Sequence, residues 1–74
     1  MEFDFSELTG RIITVYGSRR RFAEAMDMTE GSLSMKLNNR TGWSTAEIYK
    51  SLDLLSIEPE RIGTYFFSPK VHNL

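Results

Sequence analysis

The 74 residues carry nine Lys and Arg against ten Asp and Glu, one His and no Cys, for a formal charge of −1. A chain this short buries only about 60% of the surface its unfolded form exposes, so one domain with a single small core is expected over residues 1–74. No disulfide can staple it, and one His without Cys argues against a structural zinc site. No long apolar run or basic-then-apolar leader stands out, so a soluble intracellular protein is expected. With no thiol, and its one histidine (His72) close to the C-terminus, the chain is not expected to be an enzyme or to need a cofactor.

Helix signals recur at short intervals. Ser6 is placed to cap a first helix, with Glu7 in its first turn and Leu8, Ile12, Val15 and Tyr16 on one apolar face. Gly17 suits the left-handed residue that ends such a helix. Ser18 then caps a second helix with Phe22, Ala23 and Met26 inward. Thr29 caps a third with Leu33 and Leu37 inward, and Asn38 to Gly42 reads as a loop. Ser44 and Glu47 have capping-box spacing at the head of a fourth helix, whose core face is Ile48, Leu52 and Leu55, with Tyr49 on its flank. A fifth starts near Pro59, a favoured first helical residue, with Ile62, Tyr65 and Phe66 inward. Ser68-Pro69 closes it, and a loose tail is expected to follow from residue 68 to residue 74. A short β-ribbon between Met1–Phe5 and Phe67–Val71 remains open. The expected fold is all-α, five short helices around one core.

The charges are unevenly spread. Arg19, Arg20, Arg21, Lys36 and Arg40 concentrate positive charge in the middle third, while Glu2, Asp4 and Glu7 make the N-terminus acidic. The same middle third, Ser18 to Asn38, has the pattern of a helix-turn-helix. Two helices crossing steeply over a short turn need a small residue at their closest approach, and Ala23 supplies one. Asp27 stands where the turn usually has glycine, and Asp tolerates the left-handed conformation better than most residues.

On these residues the stretch resembles the helix-turn-helix of the phage Cro and repressor family. Together with Phe3-Asp4-Phe5, Leu33 to Asn38 and Tyr65 to Val71, nearly the whole chain is similar to short Cro/repressor-like regulators of Gram-positive temperate phages and prophages. The resemblance implies a lambda-repressor-like domain in the cytoplasm of a bacterial host, with the helix-turn-helix formed by helices 2 and 3 (about residues 18–38). Its recognition helix, 29–38, would lie in the major groove of an operator. Thr29, Glu30, Gly31, Ser32, Ser34, Met35 and Asn38 would face the bases: Glu30 accepts from a cytosine amino group, Asn38 pairs with adenine, Met35 touches a thymine methyl. Arg19, Arg20, Arg21, Lys36 and Arg40, with Ser44 and Thr45 at a helix N-terminus, would hold phosphates. About five neutralised phosphates give a salt slope near −4 to −5.

Two functions follow. The first is a sequence-specific transcriptional regulator, a Cro-like repressor, whose palindromic operator would call for a homodimer. The second is a protein-binding modulator, an antirepressor or corepressor that pairs with the prophage repressor itself. The first is the main reading. The net negative charge, Glu30, Met35 on the outer face and the lack of a guanine-gripping arginine on that face keep the second open as the alternative, because a carboxylate near phosphates is repelled and a basic protein surface welcomes it. Trp43 is expected to pack over the end of the third helix. The terminal aromatics Phe3, Phe5, Tyr65, Phe66 and Phe67 either close the core or form an exposed patch.

Overall fold

The computed structural model describes residues 2–71. Five α-helices follow one another: α1 Ser6–Tyr16, α2 Arg19–Ala25, α3 Glu30–Leu37, α4 Thr45–Leu54 and α5 Ile62–Phe66. They enclose one cluster in which Leu8, Ile12, Phe22, Leu33, Leu55 and Phe66 are almost wholly buried. This is the all-α, five-helix architecture expected from the sequence.

Three of the four expected caps are present. The side-chain oxygens of Ser18, Thr29 and Ser44 accept from the backbone N–H groups of Arg21, Ser32 and Glu47 at 3.2, 3.0 and 3.1 Å. Glu47 returns a bond from the Ser44 N–H at 2.9 Å, completing the capping box. Each needs only residues three apart in the chain, which makes it readable from local spacing.

The first helix differs. Its cap position is Phe5, which offers no side-chain bond, and Ser6 is the first helical residue. Asp4 takes the capping role instead, because its carboxylate accepts from the Ser6 N–H at 2.8 Å and from the Ser6 hydroxyl. Val15 is also displaced from the predicted face, with 47% of its surface exposed. The inward line runs Phe5, Leu8, Ile12 and Tyr16, and Tyr16 meets Phe22 of α2 with ring centroids 5.4 Å apart. In the last turn that line has drifted away from Val15.

Gly17 ends α1 at φ 82°, as expected. Between α2 and α3 the chain turns through Met26 to Thr29, and Asp27 takes φ 57°. The Met28 N–H then returns to the Ala23 carbonyl at 3.0 Å. Pro59 starts a 3-10 turn to Arg61, and α geometry begins only at Ile62, later than the sequence suggested.

The segment after α5 is paired where described. Phe3 and Pro69 form an isolated antiparallel bridge, with Asp4 N–H to Ser68 O at 2.7 Å and Lys70 N–H to Glu2 O at 3.1 Å. The open option of a ribbon between the two ends is met in this minimal form, and a loose tail beginning at residue 68 is corrected. His72 lies outside the described residues.

Candidate functional site

Helix α3 is anchored by Leu33 and Leu37, which leaves its N-terminal turn and Met35 facing outward. Thr29, Glu30, Gly31 and Ser32 are exposed, Met35 keeps 44% of its surface exposed, and Ser34 is half-buried. Glu30 lies in the first turn of α3, where the helix dipole favours a carboxylate. Asn38 is exposed, but its amide is folded back, donating to the Ser34 carbonyl at 2.9 Å and the Ser34 hydroxyl at 3.3 Å.

Lys36 is not an outward cation. Only 12% of its side chain is exposed. Its Nζ donates to the Gly42 carbonyl at 3.0 Å, lies 3.1 Å from Glu47 Oε1 and sits 5.9 Å from the centre of the Trp43 ring. Lys36 was expected to hold a phosphate; in the structure its charge is engaged within the fold, tying the loop after α3 to the start of α4. The same network holds the Glu47 carboxyl below its usual range. The Ser44 N–H bond is the largest cause, and Lys36 acts in the same direction. With Lys36 neutralised, Glu30 is the one uncompensated charge on α3.

Arg19, Arg20 and Arg21 are exposed at the start of α2, and Arg20 pairs with Glu24 at 3.5 Å. Arg19 and Asn38 border one shallow depression, so the start of α2 and the end of α3 are neighbours. Arg40 is exposed beyond α3, where its N–H bonds the Met35 carbonyl at 2.8 Å. Ser44 spends its hydroxyl on the cap, and Thr45 is exposed beside it. The predicted residues thus form an α3 face with Arg19 and Arg40 near its C-terminal end and Glu30 at its N-terminal end, minus Lys36.

Sequence reasoning missed Asn39. At φ 63°, it donates from Nδ2 to the Phe3 carbonyl and accepts the Phe3 N–H on Oδ1, both at 2.9 Å. The partners are 36 positions apart, and no local pattern announces such a clamp. Arg11 was equally silent: it donates to the Leu55 and Ser56 carbonyls, both at 2.9 Å, and closes the end of α4.

A family model described as "Protein of unknown function (DUF739)" matches residues 1–69. The chain belongs to that family. Among solved structures it is similar to the solution structure of the modulator of repression (MOR) of the temperate bacteriophage TP901-1 from Lactococcus lactis, at 40% identity, a TM-score of 0.80 and 97% coverage of each chain. Comparison with curated proteins gave no match. The resemblance to small temperate-phage regulators holds at that level. Among the described residues no cluster of His, Asp or Glu could hold a metal ion, and no helix is long and apolar enough to cross a membrane.

Proposed function

We propose that this chain is a protein-binding modulator of a phage repressor, acting in the bacterial cytoplasm by pairing with that repressor and not as an enzyme. Similarity over nearly the whole chain to a modulator of repression supports this reading over autonomous operator binding. The observation that carries it is the outer face of α3. Its one uncompensated charge is the carboxylate of Glu30, its most exposed apolar side chain is Met35, and its lysine is sequestered by Glu47. Such a face repels phosphates and suits a protein surface that offers cations and an apolar contact.

A second reading, the Cro-like DNA regulator, rests on Arg19, Arg21 and Arg40, which are exposed and make no salt bridge among the described residues. The helix-turn-helix arrangement of α2 and α3 suits either partner. The two readings separate in one pair of titrations, with a phage repressor from the same genome and with duplex DNA carrying that repressor's promoter. The modulator reading expects a Kd of roughly micromolar or tighter for the repressor. It expects weak binding to DNA, equal on promoter and scrambled duplexes. Tight, promoter-specific binding by the chain alone, with a salt slope of several units, would establish the DNA regulator in its place.

A further inference from the structure

A groove of about 410 Å³ opens where the N-terminal segment, the loop after α3 and the end of α5 meet. Phe3, Phe5, Trp43, Phe66 and Phe67 give it aromatic walls, and Arg40 is the one charged residue lining it. The rings are stacked edge to face: Phe3 on Phe67 at 5.6 Å and Trp43 on Phe66 at 5.2 Å between centroids. Phe67 keeps 49% of its surface exposed although it packs on Phe3. The indole N–H of Trp43 is buried without an acceptor.

The loop that carries Arg40 is fixed on both sides. The Arg40 and Thr41 N–H groups bond the Met35 carbonyl at 2.8 and 3.4 Å, and Lys36 holds the Gly42 carbonyl at 3.0 Å. Asn39, beside it, clamps Phe3. Arg40 itself has no carboxylate within salt-bridge distance among the described residues. A guanidinium at the edge of an aromatic groove must be met by an anion when an occupant desolvates it, because an uncharged or basic occupant would leave that charge unpaired.

We propose that this groove docks a peptide segment of the partner repressor in which a large apolar side chain lies next to an Asp or Glu. The apolar side chain fills the space between Phe3, Trp43 and Phe67, and the carboxylate pairs with Arg40. The proposal rests on the modulator reading and specifies the chemistry of its partner. Duplex DNA offers phosphates to Arg40, but its base faces are stacked away and only small groups such as thymine methyls are left for the rings, too little to fill a groove of this size. Glu30 and Arg40 lie at opposite ends of α3, so a partner that engages both must present a cation and a carboxylate in that order along the helix. This sets the register of docking.

Trp43 is the one tryptophan of the chain, so 5-fluorotryptophan incorporation gives a single ¹⁹F signal at the groove. The probe is a full-length phage repressor from the same genome, with calorimetry for affinity. Addition of repressor is expected to shift the Trp43 signal. Arg40→Glu and Phe67→Ala should each weaken binding on the order of tenfold, with Arg40→Lys retaining most of it. Both altered residues are exposed, and Arg40 makes no salt bridge among the described residues, so a thermal melt unchanged for Arg40→Glu keeps the result a statement about binding. Repressor binding with wild-type affinity in both variants and no ¹⁹F shift overturns the groove while leaving the modulator reading standing. Absence of repressor binding overturns both. A ¹⁹F shift produced by duplex DNA alone assigns the groove to nucleic acid and overturns it as a protein site.

Discussion

Two left-handed residues set the geometry around α3, and they differ in what else they do. Asp27 holds φ 57° in the turn before α3, and its carboxylate meets Lys50 at 3.3 Å on the surface. Glycine adopts that conformation without steric cost but loses more freedom on folding. Asp27→Gly should therefore stay within about 0.5 kcal/mol of the parent in urea unfolding, while Asp27→Val should lose about 1–2 kcal/mol. Asn39 combines the same backbone geometry, φ 63°, with the two-bond clamp on Phe3. Asn39→Gly keeps the geometry and removes the clamp, so the same measurement should show a loss of about 1–3 kcal/mol. The Asp27 turn was legible because Asp stands where a glycine is usual. The Asn39 clamp was not, since its partner is distant in sequence and its neighbours read only as loop.

At the scale of elements, legibility follows the range of the interaction. Ser18, Thr29 and Ser44 were found because a cap and its donor are three residues apart. The placement of Lys36 was not legible, because Glu47 and Gly42 hold it from a neighbouring element, and charge alone carries no information about which way a lysine points. The ion pair also makes acid sensitivity an element-level property. The carboxyl of Glu47 titrates lower in the folded chain than its usual value of 4.5, chiefly through the Ser44 N–H. A group depressed in the folded state stabilises above its unfolded pKa, and that contribution is lost as pH falls through the folded value. Stability should therefore decline as pH drops below about 5, and Glu47→Gln should flatten part of that decline in melts taken between pH 6 and 3. Asp4, lowered by its bonds from Ser6, accounts for a further part, so Glu47→Gln leaves some slope. Arg11 joins α1 to the end of α4 through two carbonyls. Arg11→Ala should lower stability by about 1–3 kcal/mol in chemical denaturation without altering partner binding.

For the whole molecule, the fold was readable from periodic apolar spacing and caps, whereas the choice of partner was not. The same two-helix arrangement serves DNA or protein, and what separates them is where the charges finish: Lys36 turned in, Glu30 left out, Arg40 set beside an aromatic groove. That groove draws Phe3 and Phe5 from one end of the chain and Phe66 and Phe67 from the other, a meeting that tertiary structure alone creates. The most direct test of a modulator is a three-component titration by fluorescence anisotropy. Labelled operator is held with the phage repressor of the same genome at half saturation, and this chain is added. The account predicts that the chain changes the repressor's apparent operator affinity by roughly tenfold or more and leaves the anisotropy of operator without repressor unchanged. An unaltered repressor curve, together with direct, salt-sensitive binding of this chain to the operator alone, would contradict it.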